Sequence, residues 1–426
     1  MEIQEHFFRH EFGRIVATLT RLFGVRNLAL AEDVAQDAFC RAMATWKLRG
    51  LPENPSAWLM ATAKNRALDI LRRERTARTF EPELTRFLES EWTLVPTVED
   101  AFNARAVKDS QLRMMFSCSH PRLPNEAKTA LVLHILCGFS VAEIAQAFVS
   151  SHAAVEKRIT RGKKILAEST KLFELADTDL PARLSSVQQA LYLLFNEGYH
   201  GASCEAVVRT ELCQEAMRLV NLLLEQPTLA TPETYALAAL MYLNAARLPT
   251  RLDGAGNLVS FFEQDRSLWD RGLLAEGQAF LNLSASGTEV TEYHIEAAIA
   301  SVHANAVRGE DTNWKQIVSL YDTLITIHPS PVVALSRAIA IAQLDGPERG
   351  LKEINAIHDL ERLSSYPFYP AALGELELRR GNCSVAKAQF STALSLARNP
   401  MERNFLQRRI DACGELGEPD KEHFRY

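Results

Sequence analysis

The sequence predicts an all-α protein built from a small helical domain, a helix-turn-helix domain and an array of α-hairpins. The good helix formers Ala, Leu, Glu and Arg are abundant, whereas the 426 residues include only 19 Gly and 17 Pro. Apolar residues recur three to four positions apart over long stretches, which is the spacing of one helical face. The length is that of two or three domains rather than one.

Composition narrows the classes of function. No apolar run is long enough to span a bilayer, and the N-terminal residues lack the pattern of a signal peptide. The seven cysteines are scattered and form no Cys-x-x-Cys pair. An odd number of cysteines without zinc-site spacing indicates free thiols in a reducing compartment. We therefore expect a cytoplasmic protein that contacts no membrane and uses no metal and no cofactor.

Charge is distributed unevenly along the chain. Residues 1–184 carry 26 Lys and Arg against 23 Asp and Glu, a net charge of +3. Residues 185–426 carry the remaining 21 of 47 basic and 30 of 53 acidic residues, a net charge of −9. This asymmetry predicts that nucleic acid binds the N-terminal part, whereas the acidic C-terminal part binds protein.

A first domain is predicted over residues 1–80. Apolar positions at helical spacing indicate three helices, of which the second begins near Ala29 and the third near Ser56. Two prolines make residues 51–55 a loop between these two helices. The third helix ends in a basic cluster of Arg72, Arg73, Arg75 and Arg78.

Residues 81–104 have a different composition from the domain before them. They include six acidic residues together with Pro82 and Pro96. We expect an acidic linker with little fixed structure at this point.

A helix-turn-helix domain is predicted over residues 105–172. Ser140 is a suitable N-cap for its first helix, and Glu143 completes a capping box. Ser150 or Ser151 is positioned to cap the second helix.

The second helix is strongly basic. Between residues 152 and 166 five cations are offset by Glu156 alone: Lys157, Arg158, Arg161, Lys163 and Lys164. A basic second helix after a tight turn is the geometry that enters a DNA major groove. The alternative is a pair of packed helices with a solvated charged face.

The third domain, residues 185–426, is predicted to be an array of helical hairpins with a weak internal repeat. Its clearest copy contains Leu373, Gly374, Ala386, Phe390 and Ala393, followed by Pro400. Tyr321 precedes Phe390 by 69 residues, about twice the roughly 34-residue period of tetratricopeptide repeats.

Two separate segments resemble bacterial extracytoplasmic-function (ECF) sigma factors. Ala31–Phe39 and Asn54–Arg73 resemble sigma region 2, and residues 126–166 resemble region 4. The segments Leu191–Tyr199 and Glu263–Asp270 resemble the subgroup of these factors that has a fused tetratricopeptide-like domain. The resemblance implies a transcription initiation factor, not an enzyme, that binds core RNA polymerase (β′ and β subunits) and promoter DNA.

The resemblance also implies roles for particular residues. Polymerase would be bound by Asp33, Gln36, Asp37 and Phe39. A flipped base of the minus-ten element would be held by Leu51, Pro52, Glu53 and Asn54. DNA would be bound by Lys64, Asn65, Arg66, Arg72, Arg73 and Arg75 in region 2, and by Ser151, His152, Lys157, Arg158, Arg161 and Lys164 in region 4. The acidic linker would either mimic a phosphate chain inside polymerase or serve as a simple tether.

In the C-terminal domain the expected interaction or interface residues are Asn196, Glu197, Tyr199, Asp265, Arg266, Trp269 and Asp270. Arg266 and Trp269 beside these acids suggest a buried ion pair that locks two helices. The domain would regulate the factor, by masking DNA-binding surfaces or by binding a regulatory protein or a small signal.

Three alternatives stay open at this point. The chain could be a polymerase-independent helix-turn-helix regulator with a protein-binding repeat domain. It could be a repeat-based scaffold whose basic surface is incidental. It could also be a hydrolase that uses the acids of residues 263–270, which would need a convergent pocket.

Overall fold

Helices form almost all of the secondary structure. The computed structural model describes residues 5–74, 91–147, 150–168, 180–200, 208–397 and 399–415. Within these ranges the only extended pairing is an isolated bridge between Leu252 and Leu258. No helix in the same ranges is long and apolar enough to cross a membrane. The expectation of an all-α protein is therefore confirmed for the part of the chain that is described.

The chain divides into two units, the first of which comprises residues 1–195 and 214–229. The unit boundary falls within the helix of residues 184–200 and again within the helix of residues 210–224. The helices from the N-terminus to α10 are α1 (Glu5–Phe23), α2 (Leu28–Arg49), α3 (Pro55–Glu74), α4 (Glu91–Ala101), α5 (Ala104–Cys118), α6 (Asn125–Leu131), α7 (Val141–Ala147), α8 (His152–Glu168), α9 (Leu184–His200) and α10 (Thr210–Leu224). A π-helical turn, Val132–Leu136, continues directly from α6.

Helix α1 lies at the centre of the first unit. Its Ile15, Val16 and Leu19 are completely buried, and the helix packs against α2, α5 and the π-helical turn. Gly13 faces the backbone of Leu136, and a Cβ atom at this glycine would collide with the Leu136 carbonyl group. A residue without a side chain is therefore required where α1 meets the π-helical turn.

The expected acidic linker is wrong in part, because residues 91–101 form helix α4. Val95 and Val98 lie three positions apart on one face of α4, and Val98 is completely buried. The helix packs against α1 and α3. These apolar side chains bury enough surface to order a segment whose acidic residues suggested otherwise. Residues 81–90 lie outside the described ranges.

The second unit comprises residues 196–213 and 230–426. Its remaining helices are α11 (Pro232–Ala245), α12 (Arg271–Ser284), α13 (Glu292–Asn305), α14 (Trp314–Ile327), α15 (Pro331–Asp345), α16 (Pro347–Asn355), α17 (Phe368–Arg379), α18 (Cys383–Leu396) and α19 (Pro400–Glu415). Between α11 and α12 the chain forms short 3₁₀ turns, including Phe261–Glu263 and Arg266–Leu268.

The helical hairpins expected in the C-terminal domain are present. Helices α14 to α19 begin at residues 314, 331, 347, 368, 383 and 400, so that alternate helices start 32 to 37 residues apart. In the α17–α18 hairpin a Cβ atom at Gly374 would lie 2.9 Å from the Phe390 ring. Phe390, Ala386 and Ala393 are buried together. Small residues thus allow these helices to approach closely, as the repeat pattern predicted.

Replacement of Gly13 by alanine should destabilise the first unit by about 1–3 kcal/mol, because the added methyl group must displace the Leu136 backbone. Urea denaturation followed by circular dichroism measures this change. The control is Gly414→Ala on α19, where no atom lies within 4 Å of the added methyl group. The control should be neutral or stabilising by at most about 1 kcal/mol. Equal effects of the two substitutions would contradict the assigned contact.

Candidate nucleic-acid and polymerase interfaces

The helix-turn-helix is capped as the sequence predicts. The Ser140 N–H donates to Glu143 Oε2 at 2.8 Å, and the Glu143 N–H donates to Ser140 Oγ at 3.2 Å. Ser151, rather than Ser150, caps α8 through a 3.2 Å bond from the Ala154 N–H. Val155, Ile159 and Leu166 are buried, so that the inward face of α8 is apolar. These caps and this apolar face fix the side of α8 that remains open.

The open side of α8 carries much of the predicted DNA-binding set. Lys157, Arg161 and Lys164 are exposed along it, and Ser151 and His152 are exposed at the start of the helix. His152 Nδ1 lies 3.9 Å from a Glu156 carboxylate oxygen. Arg158 is only partly exposed and forms a 2.8 Å ion pair with Glu126. Lys157, Arg161 and Lys164 therefore present more accessible charge than Arg158 does.

The predicted region 2 contacts on α3 differ in their exposure to solvent. Asn65, Arg72 and Arg73 are exposed. Lys64 and Arg66 are partly buried and lie beside carboxylates, Lys64 at 3.8 Å from Glu99 and Arg66 at 3.1 Å from Asp37. The predicted contact Arg75 lies outside the described residues.

The predicted flipped-base loop follows α2, which ends at Gly50 with a φ of 80°. Glu53 and Asn54 are exposed, whereas Leu51 and Pro52 are partly buried. Asn54 Oδ1 accepts a 2.9 Å bond from the Ala57 N–H. Because its side chain caps α3, Asn54 fixes the junction between loop and helix.

The predicted polymerase-binding residues do not all share one surface. Asp33 and Gln36 are exposed on α2, and Asp37 is partly buried beside Arg66 and Arg41. Phe39 points elsewhere: its ring centroid lies 5.4 Å from that of Phe8 and 6.1 Å from that of Phe12. The family resemblance assigned Phe39 to the polymerase-binding set, and its aromatic side chain is partly buried and packs against α1.

Trp58 also lies in this aromatic group. Its ring packs edge-to-face on Trp46, with centroids 5.4 Å apart. Trp46 in turn stacks on Phe8 at 6.1 Å. These contacts are those of a core residue rather than of a platform on which bases stack.

Contacts between α2 and α8 were not predicted. Lys163 on α8 donates to both carboxylate oxygens of Glu32 on α2, at 2.7 and 2.8 Å. His134 Nε2 lies 3.2 Å from Lys163 Nζ and 3.7 Å from Glu32 Oε1. Burial lowers the pKa of His134, and the Lys163 cation lowers it further. The neutral imidazole can thus accept a hydrogen bond from Lys163.

A second unpredicted contact joins α1 to the helix-turn-helix. Arg9 forms an ion pair with Glu143, and its guanidinium lies 4.4 Å from the centroid of the Phe139 ring. Glu143 therefore completes the cap of α7 and also binds α1. The partners are 134 residues apart in the sequence.

In the second unit, the acids around Arg266 cap helices rather than forming a buried ion pair. Asp265 and Asp270 are exposed, and their side chains accept bonds from the N–H groups of Ser267 and Leu273 at 2.9 and 3.0 Å. Arg266 is buried and donates to the carbonyl oxygens of His303 and Ala306 and to Thr312 Oγ1. The expected buried ion pair is therefore wrong.

Aromatic rings surround the arginines of this unit. Trp269 is 2% exposed and Tyr199 is 4% exposed. The Tyr199 ring centroid lies 4.2 Å from the Arg251 guanidinium, and the Trp269 ring centroid lies 5.2 Å from that of Arg266. Asn196 and Glu197 are partly buried at the end of α9. The described residues contain no group of three or more His, Cys, Asp or Glu that could hold a metal ion.

Three family descriptions match successive parts of the chain. Residues 7–77 match Sigma-70 region 2, residues 113–166 match Sigma-70 region 4, and residues 183–285 match a family of unknown function, DUF6596. An uncharacterized protein of Rhizobium meliloti (strain 1021) is 38% identical over 399 residues, covering 93% of this chain and 92% of its own. This chain belongs to the same family. It contains sigma-70 regions 2 and 4.

A more distant relative carries a functional name. A probable RNA polymerase sigma factor of Xanthomonas campestris pv. campestris is 28% identical over 160 residues, which is 36% of this chain and 38% of that protein. No solved structure matches the chain. The matches support a sigma factor role. The two sigma-70 matches fall on the first helical domain and on the helix-turn-helix domain that the sequence predicts.

The two sigma regions can now be assigned to helices. Region 2 includes nearly all of α1 together with α2 and α3, and region 4 includes the C-terminal part of α5 together with α6, α7 and nearly all of α8. The contacts of Arg9 with Glu143, and of Lys163 with Glu32, therefore join region 2 to region 4. The sequence predicted neither contact, because the partners are 134 and 131 residues apart along the chain.

Acid should weaken the second unit through His303. Burial, together with Arg247 and Arg266, lowers the pKa of His303 from 6.5 to about 3. The unfolded chain then binds a proton more readily than the folded chain, so stability is lost as pH falls below the ordinary pKa. Between pH 6.5 and 5 this loss amounts to about 2 kcal/mol.

The substitution His303→Phe isolates this effect. It retains the ring contacts with Phe261 and Trp314 and removes the titrating group. Urea denaturation at pH 7 and pH 5 should show a smaller loss of stability for the variant than for the original chain. An identical pH dependence of the two proteins would disprove the assignment.

Proposed function

We propose that the protein is a sigma factor of the extracytoplasmic-function type, which directs core RNA polymerase to specific promoters and aids DNA opening. The observation that carries this proposal is the row of exposed cations Lys157, Arg161 and Lys164 on the second helix of a region 4 domain. It lies on the same chain as a region 2 domain. A sigma factor needs both region 2 and region 4, because each region contacts a different promoter element.

Region 4 would read the minus-thirty-five element through α8. Arg161 is the exposed arginine of this face and suits bidentate bonding to guanine. Lys157 and Lys164 suit phosphate contacts, with Ser151 and His152 near a phosphate at the start of the helix. Arg158 would first have to leave Glu126.

Region 2 would bind the minus-ten element through α3 and the preceding loop. Asn65, Arg72 and Arg73 supply exposed polar and cationic groups that can follow a single strand. Glu53 and Asn54 form the exposed part of the loop proposed to hold a flipped base. Asp33 and Gln36 on α2 provide the exposed polar surface for a basic site on polymerase.

The region 2–region 4 contacts limit how far apart the two DNA-binding helices can be. Lys163 bonds Glu32 on α2, and five residues further along α2 Asp37 bonds Arg66 on α3. Even with all four side chains extended, the backbones at Lys163 and Arg66 lie within roughly 35 Å of each other. The two promoter elements are about 25 base pairs apart, which is about 85 Å of B-form DNA.

Regions 2 and 4 must therefore separate before both elements can be held at once. The contacts of Arg9 and Lys163 and the packing of Gly13 against Leu136 would break when polymerase binds, and the described arrangement is the closed, unbound state. The closed state would lower binding to free DNA and to inappropriate sites.

The second unit is proposed to modulate this activity. From α14 to α19 its alternate helices start 32 to 37 residues apart, near the roughly 34-residue spacing of tetratricopeptide repeats, and its sequence carries most of the negative charge. Such arrays present surfaces to protein partners. Run-off transcription by core polymerase with the full chain tests the proposal. Absence of any promoter-directed transcript would contradict it.

Loss of the α8 cations should reduce promoter-directed transcription. Arg161→Ala is expected to weaken promoter binding by about 1–3 kcal/mol, and Lys164→Ala is expected to weaken it by less and with a smaller salt dependence. Lys315→Ala, which removes an exposed cation from α14, is the control and should not alter transcription. Gel-shift assays with and without core polymerase separate a sigma factor from an independent repressor, which would bind tightly alone.

Loosening the closed state should raise activity at limiting protein concentration. Arg9→Ala removes the bonds to Glu143 and the Phe139 ring, which favours the open state by about 1–2 kcal/mol, or roughly 5- to 30-fold. Arg14→Ala is the matched control, since Arg14 lies on the same helix but bonds Glu11 and Ser56 within region 2. Run-off transcription at subsaturating protein compares the two. Equal activities for both variants would exclude a closed state held by Arg9.

A further inference from the structure

Three arginines of the second unit lie together against aromatic rings. This arginine cluster consists of Arg247, Arg251 and Arg266. The Arg247 guanidinium is 4.2 Å from the centroid of Phe261 and 5.4 Å from that of Trp269. Arg251 and Arg266 are 9% and 6% exposed, respectively. Three cations are thus concentrated in a largely buried place.

No described carboxylate forms an ion pair with any member of the arginine cluster. Arg266 donates to two carbonyl groups and a hydroxyl, and Arg251 donates to the Tyr199 carbonyl oxygen. Arg247 makes two bonds of 3.4 Å to one oxygen of Gln264, which are long for hydrogen bonds. Asp311 favours the charged form of Arg266 through space only. Among the described residues, the cluster therefore keeps an excess of positive charge, which buried sites normally neutralise.

Two further polar groups beside the cluster lack partners. Among the described residues, neither Trp269 Nε1 nor His303 Nδ1 has a hydrogen-bond partner, although both atoms are buried. Buried polar atoms of native proteins are nearly always bonded. An indole N–H can only donate, so Trp269 requires an acceptor at the same place where the arginines require an anion.

The segments that carry the cluster also expose apolar side chains. Phe262 is 48% exposed, Leu268 is 63% exposed and Val307 is 79% exposed. They adjoin Phe261, Trp269 and Ala306 in the sequence, and Ala306 accepts a bond from Arg266. Arg247 itself is partly exposed as a residue.

We propose that the arginine cluster binds a small molecule that carries a carboxylate or phosphate group on an aromatic or other apolar body. The Arg247 N–H groups, which make only long hydrogen bonds to Gln264, donate to the anionic group, and the Trp269 N–H is a further donor. Phe261, Phe262 and Leu268 contact the apolar body. This site is independent of the proposed role in transcription, because it is argued only from groups of the second unit.

Phenyl phosphate, benzoate and inorganic phosphate test the site on the full chain. Each is titrated at constant ionic strength, with sodium chloride as the balancing salt, by isothermal calorimetry and by thermal unfolding. Phenyl phosphate or benzoate should bind saturably and raise the melting temperature more than inorganic phosphate does, because the aromatic body adds apolar contacts. Failure of all three probes to bind saturably at millimolar concentration, or an equal response to sodium chloride, overturns the proposal.

Three variants locate the binding. Arg247→Gln should weaken probe binding at least tenfold, and it should melt at the same or a higher temperature without ligand, because an uncompensated charge is removed. Trp269→Phe retains the ring but removes the N–H group, and it should weaken binding roughly tenfold. Arg308→Gln, an exposed arginine paired with Glu310, is the control and should bind normally.

Three results with these variants bear on whether the proposal is wrong. Unchanged probe affinity in both Arg247→Gln and Trp269→Phe would place the binding elsewhere and overturn it. If Arg247→Gln melts at a much lower temperature, the arginine has a structural role, and Trp269→Phe then decides alone. If Arg308→Gln loses as much affinity as Arg247→Gln, the probes bind through general surface charge. That result also overturns the proposal.

Discussion

The close approach of α1 to the π-helical turn determines the rest of the first unit. Gly13 places the backbone of α1 directly against the Leu136 carbonyl group, a distance that any side chain would prevent. Arg9, four residues before Gly13 on α1, pairs with Glu143, and Lys163 pairs with Glu32 on α2. Region 2 and region 4 are therefore joined by a backbone contact as well as by ion pairs.

Features governed by neighbours in the sequence could be predicted well. The capping box of Ser140 and Glu143, the apolar face of α8 and the small residues of the α17–α18 hairpin all depend on side chains three or four positions apart or in adjacent helices. Such interactions leave a periodic signal. For the same reason the sequence could predict which cations of α8 remain exposed, with Arg158 and Lys163 as the exceptions.

The exceptions depend on partners that are distant in the sequence. Glu32 is 131 residues from Lys163, and no local pattern indicates that they meet. Phe39 follows the same rule, since its neighbours Phe8 and Phe12 belong to another helix. Arg266 shows a different limit: acids adjacent in the sequence suggested an ion pair, but backbone carbonyl groups took their place. In the linker, the acidic composition predicted little fixed structure. The helical spacing of its apolar residues was the better guide, because residues 91–101 form a helix that buries Val98.

The buried thiols have a consequence for how the protein can receive signals. Burial raises the pKa of Cys118 and of Cys213 to about 12, and it raises that of Cys137 well above its usual range. Only the thiolate reacts readily with peroxides and disulfides, so these three sulfur atoms are inert to oxidative stress. Cys40, exposed on α2, is the described cysteine most open to such chemistry.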